Sequence, residues 1–175
     1  IFFWFFFRPK YTFHSLRLLN SQIKKIIKNN KKISSIEICY KNQISNTQLI
    51  KYYFNKEKLN FSNELKKYHS NFDKDEFQKM GGGSNLELIF NFCEFLKPKL
   101  VLETGVAYGW SSLAFLISLN KNNGKLISIN LPYPDKKKIN LIGKAVPINL
   151  INNWNLISGA DKDEIPKILR SNNKI

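Results

Sequence analysis

A carboxylate, Glu103, stands two residues ahead of Gly105 and six ahead of Gly109, with Ser111 and Ser112 close behind. Glycine permits backbone angles and close approaches that a side chain blocks, so this stretch can bend sharply beneath a ligand. A helix starting after Gly109 would leave the N–H groups of its first turn unpaired and carry the positive end of the helix dipole there. A ligand carboxylate or phosphate is favoured at such a place. Glu103 narrows the choice, because a carboxylate repels phosphate but accepts hydrogen bonds from an ammonium group. The expected ligand carries both an amino and a carboxylate end, which suits the site better than a pyrophosphate does.

The elements around this corner follow from pattern. Pro98 closes the preceding segment, and Leu100, Val101 and Leu102 form a short apolar run suited to a strand buried on both faces. Leu113, Leu116 and Ile117 then fall on one helical face, with Ser111 or Ser112 able to act as N-cap. Asn120 to Gly124 turns the chain, Leu126 to Asn130 reads as a second strand, and Leu131-Pro132-Tyr133-Pro134 as a rigid turn. Asp135 to Asn140 reads as a polar connector, Trp154 to Ser158 as a third strand, and Glu164 to Leu169 as a helix. Asp161 is a candidate cap for that helix, with Pro166 expected in its first turn.

Upstream, Leu16, Leu19, Ile23, Ile26 and Ile27 predict an amphipathic helix between Pro9 and about Asn30, with Lys24, Lys25 and Lys28 opposite. Ile33 to Tyr40 could form a short strand. Asn46 or Thr47 can cap a helix running to Phe54, and Ser62 another through Tyr68 with Glu64 just inside it. After Gly81-Gly82-Gly83, Ser84 or Asn85 can start a helix over Leu86 to Leu96, expected to lay Leu88, Ile89, Phe92, Phe95 and Leu96 on the sheet. The fold class expected is α/β.

Glu103-x-Gly105-x-Ala107-x-Gly109 resembles motif I of the class I S-adenosylmethionine-dependent methyltransferases. Ala107 stands where that motif usually has its middle glycine, as in small-molecule O-methyltransferases of the catechol type. Further blocks are similar to the methyltransferase 24 type family: Gly109-Trp110-Ser111-Ser112, Leu131 to Pro134, Ile142-Gly143-x-x-Val146-Pro147, Trp154 to Gly159 and Ile165-Pro166. The resemblance implies a partial Rossmann-like sheet of strand order 3-2-1, preceded by a mainly helical segment. Residues 1–79 would form that segment and 80–175 an incomplete S-adenosylmethionine-binding domain.

It also implies contacts. Glu103, Gly105, Val106, Ala107, Gly109 and Ser111 would hold the amino-acid end of S-adenosylmethionine, with Gly81 and Gly82 against its methionine portion. Asn130 would meet the ribose where relatives carry an acid, a weaker arrangement, with Asp135 a second candidate. Gly159, Ala160 and Asp161 would line the adenine. The acceptor implied is a hydroxyl on a small molecule or a sugar. The catalytic residues and any metal would lie downstream of Ile175, so the chain is expected to be a C-terminally truncated fragment that binds the cofactor only weakly and has no turnover of its own.

The 175 residues carry a formal net charge of +15, which invites a nucleic-acid reading. Lys, Asn and Ile are abundant throughout, however, and short clusters such as Lys136-Lys137-Lys138 read as solvated faces, so nucleic acid is not the expected partner. Cys39 and Cys93 are too few and too far apart for a zinc site or disulfide framework, and His14 and His69 lack ligand spacing, so no metal is expected. A reducing cytoplasm fits this cysteine usage. Ile1 to Phe7, seven apolar residues, falls short of the roughly 20 that cross a bilayer; a local packing role is expected ahead of an interfacial anchor or the stump of a longer hydrophobic segment. The competing readings are a basic membrane- or RNA-associated module and a dinucleotide oxidoreductase. The latter would show Gly-x-Gly-x-x-Gly and an acidic end to its second strand.

Overall fold

The computed structural model describes residues 9–27, 39, 41–68, 80 and 84–171. Ile1 to Phe7, most of the possible strand at Ile33 to Tyr40, His69, Gly81 and Gly82 lie outside these. The chain falls into two compact units, Ile1–Ser45 and Asn46–Ile175. The first holds helix α1, Pro9–Ile27.

In the second unit, α2 (Asn46–Phe54), α3 (Phe61–Lys66) and α4 (Leu86–Leu96) precede strand β1 (Leu100–Thr104). Then come α5 (Trp110–Lys121), β2 (Lys125–Asn130), the short α6 (Lys136–Ile139), a 3-10 turn at Ile148–Asn153, β3 (Trp154–Ser158) and α7 (Asp161–Ser171). The units divide at Ser45/Asn46, well ahead of 79/80, because α2 and α3 pack on α4 and so belong with the sheet. Rings make that junction: Phe54 meets Phe92 at 4.9 Å and Phe61 meets Phe90 at 5.3 Å between centroids.

The three strands are parallel in the order β1-β2-β3, an open α/β sheet of partial Rossmann-like form. Val101, Leu126 and Trp154 share one row, and Glu103, Ser128 and Leu156 the row two residues on. Side chains alternate between faces along a strand, so both rows lie on the same face. That face holds α5, which carries Leu113, Ala114, Leu116, Ile117 and Leu119 into the core with almost no exposure. Helix α5 is apolar on several sides because α4, β2 and the 3-10 turn all pack on it. Each of the Leu and Ile side chains contributes about 1.5–3 kcal/mol by burial.

Several expected boundaries move. Asn60, not Ser62, caps α3, its side chain accepting from the Asn63 N–H. Asn85 caps α4 as read, but α4 packs mainly on α5 and α2 rather than on the sheet, and Leu96 is exposed. The connector after Pro134 contains α6, capped by Asp135. Helix α7 starts at Asp161, which places Pro166 inside the helix instead of in its first turn. Among the described residues no helix is long and apolar enough to cross a membrane.

Candidate functional site

Where β1 ends, the Gly105 N–H donates to Ile129 O at 2.8 Å, which extends the ladder by one bond before the chain turns away. Gly105, Ala107 and Gly109 then take φ of +78°, +47° and +93°. Three left-handed positions in five residues fold the loop tightly, and an L side chain costs about 1–2 kcal/mol at such angles. Ala107 bears that cost. The loop is held from behind, where Gly143 N–H donates to Ala107 O at 3.0 Å and Ala145 N–H to Tyr108 O at 2.9 Å. Gly143 is also the floor: a Cβ on Gly109 would come within 2.8 Å of Gly143 Cα, and one on Gly143 within 2.3 Å of the Trp154 ring. A Cβ on Gly105 would meet nothing within 4 Å, so the outer side of the loop is open.

Glu103 lies beneath the loop, only 7% exposed. Ser111 Oγ donates to its Oε1 at 2.5 Å, and Ser112 Oγ and Ser128 Oγ each donate to its Oε2 at 2.6 Å. Trp154 Nε1–H donates in turn to Ser128 Oγ at 2.8 Å. A carboxylate offers about four lone-pair sites. Three are taken by hydroxyls, so little of Glu103 is left for a ligand ammonium, and it serves first to tie β1, α5 and β2 together. Gly109 is the N-cap of α5, in place of the Ser111 or Ser112 cap expected: the helix begins at Trp110, so both serines lie inside its first turn, where their hydroxyls donate to Glu103. The cap residue of α5, at the mouth of the loop, thus brings no side chain of its own.

Asn130, at the carboxyl end of β2 and 5% exposed, bends back over the loop. Its Oδ1 accepts from Val106 N–H at 3.0 Å and Ala107 N–H at 3.3 Å, while its Nδ2 donates to Leu131 O at 3.0 Å. Both ends of the amide are thus engaged within the protein. Val106 is buried and Ala107 half-buried.

The third wall is Gly159-Ala160-Asp161, after β3. Gly159 N–H donates to Asn130 O at 3.1 Å, which brings this segment beside the end of β2. Gly159 is buried, Ala160 half-buried and Asp161 exposed. The structure therefore gathers Glu103, the loop from Gly105 to Gly109, Ser111, Asn130 and Gly159 at the carboxyl ends of the strands, while Gly81 and Gly82 lie outside the described residues. Asp135 is committed to capping α6, its Oδ1 accepting from Lys137 N–H at 2.9 Å.

Sequence reasoning did not single out Ser112, Ser128 or Trp154 as partners of the site. One signal was present: Ser128 interrupts an apolar strand at the register position opposite Glu103. Among the described residues no cluster of His, Cys, Asp or Glu could hold a metal ion. Cys93 is buried, and burial pushes its thiol above the ordinary range.

No family model matches the chain, and no curated protein does. Among solved structures, it is similar to the S-adenosylhomocysteine-bound methyltransferase PaMTH1 of Podospora anserina, with a TM-score of 0.41 and 15% identity. That likeness covers 79% of this chain and 56% of the other, so the chain spans little more than half of that protein's length.

Proposed function

We propose that the chain is the cofactor-binding part of an S-adenosylmethionine-dependent methyltransferase acting on a hydroxyl of a small molecule or sugar. The observation that carries this reading is the loop from Gly105 to Gly109. It is bent by three left-handed residues, has a buried Glu103 beneath it, is open above Gly105, and ends on the helix N-terminus at Gly109, a cap residue without a side chain. An amino-acid carboxylate suits that N-terminus. Val106, Ala107 and Gly109 shape the cradle, and Ser111 stands beside it.

The adenosine portion would extend along the strand ends toward Gly159, Ala160 and Asp161, the usual crevice of open α/β sheets. Asn130 supports the loop there and leaves ribose recognition weaker than an acid would. When bound, the cofactor supplies a methyl group on a sulfonium: an acceptor oxygen forms a bond to the methyl carbon, the carbon–sulfur pair returns to sulfur, and the hydroxyl proton passes to a base. The part of this chain's residues is to position the donor and keep water from it, which supplies much of the acceleration in such a displacement.

Titration calorimetry of the full chain tests the reading. S-adenosylhomocysteine is expected to bind, Gly105→Val to abolish that binding by filling the open side of the loop, and NADH not to bind. Binding of NADH in its place would overturn the assignment.

A further inference from the structure

Helix α1 has a second kind of surface. Phe13, Leu16, Leu19 and Ile23 fall within about 120° of one another at 3.6 residues per turn, and they are exposed by 71% at Phe13 and 46% at Ile23, the two ends of the row. Arg17 and Lys24, seven residues apart and both exposed, border that row on the Phe13 side. The charged residues of α1 are Lys10, Arg17, Lys24 and Lys25, all basic, and no acid occurs in the sequence before Glu37. The residues just ahead of Arg8, Ile1 to Phe7, are all apolar and include Trp4 and six further large side chains.

From this pattern we infer that α1 lies on anionic phospholipid, its Phe13-Leu16-Leu19-Ile23 face sunk between acyl chains and its basic edge on the headgroups. An apolar stripe bordered by Lys and Arg is the arrangement of helices that lie in the plane of a membrane interface rather than span it. Charge decides between occupants. A second copy of α1 would bring basic edges together with no acid on either helix to pair them, whereas anionic lipid meets them with opposite charge. The inference stands independently of the methyl-transfer reading.

The test is flotation of the full chain with vesicles of phosphatidylcholine alone and of phosphatidylcholine with about one third phosphatidylserine, at low and high salt. The expected result is flotation with the anionic vesicles, reduced by salt and weak with neutral ones. Arg17→Gln and Lys24→Gln should each weaken partitioning about fivefold. Ile23→Asp and Leu18→Asp change net charge equally, but Leu18 lies on the far side of the helix from the stripe. Ile23→Asp should lower partitioning about tenfold or more and Leu18→Asp much less, with circular dichroism reporting equal helix content. Equal losses from the two, indifference to both, or equal flotation with neutral vesicles would overturn the inference. So would absence of lipid binding together with a concentration-dependent dimer that Ile23→Asp dissolves, because a second copy would then be the occupant.

Discussion

Two carboxylates in the second unit are held in different ways. Glu103, under the glycine loop, is almost fully buried and accepts from three hydroxyls that come from α5 and β2. Glu87, in the first turn of α4, has a side chain 30% exposed and meets Lys58 Nζ at 2.8 Å and Asn46 Nδ2 at 3.1 Å. A buried carboxylate has no water to fall back on, so each of its fixed donors carries weight, and removing it strands them together. A half-exposed ion pair exchanges its partner for solvent and salt at little cost. The sheet-end region should therefore be rigid and intolerant, and the helical flank forgiving.

Replacing Glu103 tests this most severely. Glu103→Ala strands Ser112 and Ser128 in the core and is expected to cost about 3 kcal/mol or more. Glu103→Gln keeps one carbonyl oxygen, which can still accept from Ser112 and Ser128, while its NH2 faces Ser111, whose hydroxyl can rotate to accept. Its cost should be about 1 kcal/mol. Urea unfolding of the two variants beside Glu87→Ala measures the difference. A Glu103→Ala variant no weaker than Glu87→Ala would mean that the hydroxyl clamp does not bind the three elements together.

The glycines sharpen the same point. Gly143→Ala places a methyl group within 2.3 Å of the Trp154 ring at a φ of +73°, so steric overlap adds to backbone strain, and about 2–3 kcal/mol should be lost. Gly105→Ala suffers only the strain of its +78° φ, with open space around the added atom, and should lose about 1 kcal/mol. If thermal unfolding ranked them the other way, the loop would be supported from its outer side rather than through Gly143 and Trp154.

Asn130 comes next. Asn130→Asp keeps an oxygen for the Val106 and Ala107 N–H groups but turns the donor on Leu131 O into a second oxygen facing a carbonyl. About 1–2 kcal/mol should be lost, with faster amide exchange confined to the loop. Unchanged exchange at Val106 and Ala107 would show that the bracket is dispensable.

Much of this arrangement was legible where one signal had no competitor. The limits of β3 match the sequence reading, and Asn85 is the one of the two candidate caps, Ser84 and Asn85, that α4 uses. At α5 the helix begins at Trp110, earlier than a serine cap requires, so Ser111 and Ser112 fall inside its first turn and their hydroxyls donate to the buried Glu103, which has no water to turn to. Ser128 was silent for a different reason: its role exists only through the pairing of β1 with β2, and a strand read alone does not reveal what faces it. Asn130 was read outward, toward a ligand, on the strength of its place at a strand end. Its oxygen also accepts from two N–H groups of the tightly bent loop, a partnership that a strand end read alone does not reveal. The exposed apolar stripe of α1 was legible as a pattern, and its exposure only in three dimensions.

The smallest effect belongs to Glu87. The hydrogen bond from Lys58, aided by Asn46 and opposed by partial burial, holds its carboxyl below the ordinary value of 4.5. A depressed folded pKa contributes stability that is fully present above the unfolded value and lost as pH falls through the folded one. Glu87→Gln should thus cost about 0.5 kcal/mol at neutral pH, a figure kept low because both partners are about one third exposed. That cost should shrink as pH drops below 4.5 and largely vanish at neutral pH in about 1 M salt. The loss from Glu103→Ala should persist in the same salt, because its partners are uncharged hydroxyls buried beyond the reach of counterions. Urea midpoints for the two variants at low and high salt settle the matter, and equal salt sensitivity would erase the distinction between the clamp at the sheet and the ion pair on its flank.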